Sequence, residues 1–192
     1  MTEDHPDQVL RLDRLLPARP GFAFALWQRP DLLSTWWGPE GFRLATCEID
    51  FRPGGAWRFL MAKPDESHWI DGIYHQIAAP HRLVFSYHFR EFGIDSVCSV
   101  AFAAEGQGTR MRFCQTGFPK AADREDHAWG WGSSFGLLET ALLRLHGIGA
   151  VYPDLPEAKA SGVARDLEAA RQAIEAARQG PPPLPPSSRG AG

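Results

Sequence analysis

The chain is short of cysteine, of any surplus of one charge and of long apolar runs, and each shortage removes a class of function. Cys47, Cys98 and Cys114 are its only cysteines. An odd, widely spaced set does not make a disulfide framework, and it reads as reduced thiols packed in strands of a cytoplasmic protein. The 20 basic residues face 23 acidic ones. Without a basic excess there is no electrostatic footprint for nucleic acid. No apolar stretch reaches the ~18 residues of a transmembrane helix. Residues 1–7 are acidic and hold no apolar core, so they do not read as a signal peptide. Metal-ligand spacing is also lacking. His68, His75, His81 and His88 recur every six or seven residues along the expected strands, whereas a catalytic zinc takes about three converging protein ligands. There is no Gly-x-Ser-x-Gly elbow, Walker loop or dinucleotide fingerprint. Gly132-Ser133-Ser134 falls inside an expected helix, away from any elbow. No metal, cofactor or catalytic residue is therefore assigned.

Aromatic residues, by contrast, are plentiful: 7 Trp and 12 Phe in 192 residues. They suit either a large core or an apolar cavity walled by rings, since each ring buries much area. A domain of about 150 residues buries roughly 70 % of its unfolded surface, so no disulfide or metal staple is required.

Periodicity supplies the element order. Residues 9–16 read as a strand. Residues 20–27, opened by Pro20, and 31–37 read as two short helices. Six runs of period-two alternation follow, at 43–51, 56–62, 68–77, 82–90, 96–102 and 109–115. Trp57, Phe59 and Met61 share one face of their run; Leu83, Phe85, Tyr87 and Phe89 share one face of theirs; Met111, Phe113 and Gln115 oppose Arg110 and Arg112. So many consecutive alternating runs predict an antiparallel sheet with one wet face. Gly72 is a possible bulge, and Pro80 breaks the run before it. From about residue 123 to 146 the period changes to that of a helix, with Trp131, Phe135, Leu138, Leu142 and Leu145 in one stripe. The expected organisation is a domain over 8–147, a linker and extra amphipathic helix over 148–179, and a disordered Pro-rich tail over 180–192.

Two segments carry a more specific signal. Residues 30–42 hold a tandem Trp, Trp36-Trp37, followed by the turn Gly38-Pro39-Glu40-Gly41. Ten residues on comes Arg52-Pro53-Gly54-Gly55-Ala56-Trp57. With Tyr74 and Ile77, the stretch from Pro80 to Phe85, Gly108-Thr109-Arg110, Gly117-Phe118, and His127 with Gly130-Trp131, the chain resembles the activator-of-heat-shock-ATPase-homologue-like family of the START-like (SRPBCC) superfamily. The resemblance implies an α+β helix-grip fold. A curved antiparallel sheet of about seven strands wraps a long C-terminal helix, with two short helices after the first strand and a pocket between sheet and helix. It also implies binding of hydrophobic small molecules, or a chaperone-associated role. The family's eukaryotic chaperone activators carry an extra N-terminal domain, and here only residues 1–8 precede the first strand, which places the small-molecule reading first.

Cavity candidates are Trp36, Trp37, Trp57, Phe59, Tyr74, Phe85, Tyr87, Phe113, Gln115, His127, Trp131 and Phe135. Tyr74, Tyr87 and Gln115 could orient a ligand's polar group, or be hydrogen-bonded core residues. His127 could act as acid or base near neutral pH, or be a surface residue beside Asp126. Gly130, Gly132 and Gly136 each cost a helix about 1 kcal/mol relative to Ala. Close helix–sheet approach, a kink, or space for a ligand against Trp129 and Trp131 would explain them. The leading expectation is binding of an apolar small molecule, with no nucleic-acid or membrane partner. Alternatives are a chaperone-associated or other protein-interaction module, and a cyclase- or hydrolase-like enzyme using the same cavity. The Val163, Leu167, Ile174 stripe could pack on its own domain or serve a homodimer or protein partner.

Overall fold

In the computed structural model, residues 8–148 are described. The expected extra helix within 148–179 and the tail at 180–192 fall outside them. The described elements are β1 (Val9–Leu16), α1 (Pro20–Ala25), α2 (Pro30–Leu33), β2 (Arg43–Ile49), β3 (Ala56–Lys63), β4 (Glu66–Ala78), β5 (Arg82–Phe89), a 3-10 turn at Arg90–Phe92, β6 (Ile94–Glu105), β7 (Gly108–Thr116) and α3 (Ala121–Ile148). The seven strands form one sheet in the order β1-β7-β6-β5-β4-β3-β2, with every neighbouring pair antiparallel. This is the α+β helix-grip architecture that the sequence predicts.

β1 and β2 are successive strands at opposite edges of the sheet. The chain between them must cross the whole sheet, and it does so carrying α1, α2 and the tandem Trp over the inner face. Both short helices begin with Pro at the first turn, where its missing N–H costs nothing. They end sooner than the apolar runs suggest. α2 stops at Leu33 and continues to Trp37 as single hydrogen-bonded turns, with the Trp36 and Trp37 amides donating to Leu33 O. Apolar residues on every side of α1, Phe22 through Ala25, are all buried, with Phe24 packed edge to face on Phe51 and Phe102.

The strand faces follow the alternation. Trp57, Phe59 and Met61 are buried, as are Leu83, Phe85 and Tyr87, and Met111, Phe113 and Gln115. β4 bends in its middle. Pairing with β5 lapses at Gly72 and Ile73, where the Ile73 amide donates to Ser86 Oγ at 2.9 Å, and the register slips by one between Tyr74 and Gln76. A Cβ at position 72 would lie 1.9 Å from Ser86 O and 2.6 Å from Trp57 Nε1. Only glycine lets the strand fold that closely over the indole. α3, 28 residues and about 42 Å long at 1.5 Å per residue, buries Trp131, Phe135, Leu138 and Leu142 against the sheet. No helix among the described residues is long and apolar enough to cross a membrane.

Candidate ligand-binding site

The middle of the sheet–helix interface is filled. Trp27 and Trp36 pack as tilted rings with centroids 4.7 Å apart, Trp57 and Phe59 at 4.8 Å, and Phe113 and Trp131 at 4.5 Å. The space left among Trp27, Trp57, Phe59, Tyr74 and Phe85 is about 10 Å³, barely the volume that holds one water. Edge-to-face contacts join the clusters, including Phe113–Phe135 at 5.3 Å and Trp37–Phe59 at 5.0 Å. Such pairs add about 0.5–1.5 kcal/mol each beyond area burial.

A cavity of about 360 Å³ opens at one end of this core, beside the first half of α3. Its floor is Trp37 and Trp131, whose rings meet edge to face at 5.0 Å. Its walls come from the Gly38–Phe42 turn, Met61 of β3, His68 of β4, Tyr87 and Phe89 of β5, Phe92 of the 3-10 turn, and His127 and Gly130 of α3. Phe92 and Trp129 stand at its rim, 55 % and 67 % exposed. Each element has a local reason to be there. Gly38 has φ of +105° and Gly41 of +90°, values that side chains rarely adopt, so the turn can fold back after Trp37. The Glu40 amide then donates to Ser133 Oγ at 2.8 Å, tying this turn to α3. A Cβ at Gly130 would meet nothing within 4 Å, so close packing does not account for this glycine.

A buried hydrogen-bond chain sets the floor. Trp131 Nε1 donates to Gln115 Oε1 at 2.7 Å, Gln115 Nε2 donates to Ser96 Oγ at 2.9 Å, and Ser96 Oγ donates to Tyr87 O at 2.9 Å. Gln115 is thus a satisfied core amide that fixes the Trp131 indole.

Two histidines of opposite character flank the space. His127 is half-buried and ringed by Phe118 at 5.1 Å, Tyr87 at 5.7 Å and Phe89 at 6.3 Å. Its Nδ1 lies 2.8 Å from Asp123 O, so Nδ1 carries the proton and Nε2 is an acceptor. Nε2 is shut off from water and has no partner. Burial lowers the ring's pKa, outweighing the opposing pull of the Asp123 carbonyl and the Asp123 and Asp126 charges. His127 is therefore part of the aromatic wall rather than a solvated surface residue. His68 lies between two carboxylates, with Nε2 2.5 Å from Glu66 and Nδ1 2.8 Å from Glu91. Burial pulls its pKa down, but the bonds to Glu66 and Glu91 prevail and raise it. Elsewhere, burial and then Asp31 push the Cys47 thiol up to about 12. Burial also raises Cys98, so both stay protonated and unreactive. Among the described residues no three His, Cys, Asp or Glu converge as a metal-ligating group.

Of the twelve cavity candidates, Trp37, Tyr87, His127 and Trp131 line the 360 Å³ space. Trp57, Phe59, Tyr74 and Phe85 border only the 10 Å³ void. Trp36, Phe113, Gln115 and Phe135 are buried in the surrounding core. Phe42, Met61, His68, Phe89 and Phe92 also line the cavity without having been singled out as candidates, and so does Trp129, which the helix glycines had already suggested as a ligand contact. Strand parity could have found Met61 and Phe89, which continue the inward faces of Trp57 and Tyr87. Phe92 follows a strand end, where parity no longer applies.

Residues 17–142 match the family described as activator of Hsp90 ATPase homolog 1-like protein. A protein from Rhizobium leguminosarum, solved at 1.9 Å, is 29 % identical with a TM-score of 0.61, over 71 % of this chain and 94 % of that one. A Chromobacterium violaceum protein is 26 % identical with a TM-score of 0.64, over 70 % and 96 %. An AHSA1-like protein from Aeromonas hydrophila shares the fold at 16 % identity, with a TM-score of 0.63 over 78 % and 99 %. No curated protein matches. The tandem Trp, the Arg-Pro-Gly-Gly turn and the helix opening at His127 all fall inside the matched span, and the chain belongs to the activator of Hsp90 ATPase homolog 1-like family, with its START-like fold.

Proposed function

We propose that the chain binds an apolar, ring-bearing small molecule in the cavity beside the first half of α3. The observation that carries this reading is the contrast between two regions of one interface. Its centre is closed to about 10 Å³, while its end keeps about 360 Å³ open and lined by aromatics. Ligand sites fall in the range of about 300–1,000 Å³ and combine apolar walls with a few polar groups. Binding would draw on burial of apolar surface, at about 25 cal/mol per Å². Exposed Trp129 and Phe92 would fold over the entrance.

A second reading, an enzyme on the same cavity, draws on His127, a neutral imidazole in an apolar wall. Perturbed titratable groups in clefts are candidate acids and bases. One experiment separates the readings. Polyaromatics, flavonoids and fatty acids are titrated while Trp fluorescence is followed, and the compounds are then recovered and chromatographed. Saturable quenching at micromolar concentration with compounds returned intact supports binding. Chemical change that tracks His127 supports an enzyme. An absence of any saturable signal overturns the ligand reading and leaves the protein-interaction alternative.

A further inference from the structure

We infer that the cavity takes an organic cation: a flat apolar body resting on Trp37 and Trp131, with a protonated amine held at the mouth between the Asp126 carboxylate and the Trp129 ring. This choice rests on the cavity reading above and deepens it. Charge at this end of the molecule is lopsided. The lining residues that can carry charge near neutral pH are Glu66, His68, Asp126 and His127, and no lysine or arginine is among them. Burial holds the pKa of His127 down, which keeps it neutral. His68 has one ring nitrogen on Glu66 and the other on Glu91, and Lys63 pairs with Glu66. Both positive groups are thus spent on carboxylates already present. Even with His68 protonated, the three carboxylates outnumber the two cations, so an anionic ligand would meet like charge and no partner.

Asp126 is the carboxylate left over. Its side chain makes no hydrogen bond or ion pair among the described residues, whereas Glu66 and Glu91 are both bonded to His68. Asp126 precedes Trp129 by three residues and Gly130 by four, so the three share one face of α3, and all three line the cavity. Trp129 is 67 % exposed, and its ring makes no aromatic or cation–π contact among the described residues. Indole is the aromatic ring that attracts a cation most strongly. Gly130 leaves room beside them, since a Cβ there would meet nothing within 4 Å. A carboxylate and an indole without partners of their own, neighbours on one helix face at the rim of an aromatic cavity, suit an ammonium group. Its N–H groups donate to Asp126, its charge lies against Trp129, and its apolar body is left to the rings of the floor. Charge outward and body inward also spares the cost of taking an ion fully out of water.

The test uses three probes on one ring system, with the full chain at neutral pH, followed by calorimetry: 2-naphthylmethylamine, which is a cation, neutral 2-naphthol, and anionic 2-naphthoate. The amine should bind about tenfold tighter than naphthol, the joint worth of one cation–π contact and one exposed ion pair, and naphthoate should bind weakest. Asp126→Asn and Trp129→Leu should each weaken the amine about threefold, and in the double variant its preference over naphthol should fall to about one. Naphthol should bind Asp126→Asn as it binds the unaltered protein. Both positions are exposed, where substitutions scarcely disturb folding. In the unaltered protein, added salt should narrow the gap between amine and naphthol, a readout that needs no variant. Equal affinity for amine and naphthol, a preference that persists in the double variant, a gap indifferent to salt, or tightest binding by naphthoate overturns the cation inference and leaves the cavity reading standing. Binding by none of the three overturns both.

Discussion

Gly130 lies in the interior of α3, where glycine costs a helix about 1 kcal/mol relative to alanine, yet the added methyl would meet nothing within 4 Å. Gly130→Ala should therefore raise stability by about 1 kcal/mol, read as a higher thermal midpoint, while weakening ligand binding because the methyl enters the cavity. A loss of stability instead would show that the position is filled. Trp57 makes the opposite case. It is 2 % exposed, sits against the small void and not the cavity, and has an indole N–H without a partner. Trp57→Ala should cost about 3–5 kcal/mol by chemical denaturation. Trp57→Phe should cost clearly less, because it also removes the unmatched N–H. Equal losses in the two variants would mean that the N–H is satisfied by water. Strand parity already placed Trp57 inward. It did not tell filled space from open space, because that depends on how rings from Trp27, Trp37 and Phe85 interlock across the sheet, and no local pattern encodes it.

At the scale of elements, His68 joins the start of β4 to the 3-10 turn that carries Phe92 over the cavity. A neutral imidazole has one N–H and can donate to only one carboxylate; the protonated ring donates to both Glu66 and Glu91. Its raised pKa means that this clamp's stabilisation is full below the ordinary value of about 6.5 and is lost as pH rises through the raised one. His127 has the opposite sign. With a lowered pKa, its contribution is full above about 6.5 and is lost as pH falls towards the lowered value. Glu66 and Glu91, with Lys63 behind Glu66, set the direction at His68; at His127 burial among Tyr87, Phe89 and Phe118 sets it, against the opposing pull of Asp123 and Asp126. Thermal midpoints measured across the neutral range should trace a dome. His68→Gln should flatten its alkaline limb and His127→Phe its acid limb. A wild-type profile that rises or falls monotonically would contradict the pairing. The elements themselves were legible. Alternation gave each strand face, and the change of period gave α3. The helix ends were less so, because residues 34–37 are apolar enough to continue α2 while the turn at Gly38 pulls the backbone away. His68 looked like one of four scattered histidines. Its role depends on Glu91, which is distant in sequence and reaches it only because β4 and β5 pair.

For the whole molecule, the described residues already form a closed set. Seven strands, two crossing helices and the buried stripe of α3 complete one core from Leu10 to Leu142. A chain ending at residue 149 should therefore keep a cooperative unfolding transition and the near-ultraviolet dichroism of a packed aromatic core. Loss of either would mean that the segment beyond contributes to that core. The central claim is that the open end of the sheet–helix interface, and not its middle, receives a ligand. The seven tryptophans report on it directly, because each gives one indole N–H signal and they are distributed over distinct environments. In a titration with 2-naphthol followed by proton–nitrogen correlation spectra, the signals of Trp37, Trp129 and Trp131 should move in saturable fashion. Those of Trp27, Trp36 and Trp57 in the filled core, and of Trp69, half exposed under Arg58, should stay. Movement of Trp36 and Trp57 with Trp129 static would place the ligand in the middle of the interface and contradict the account.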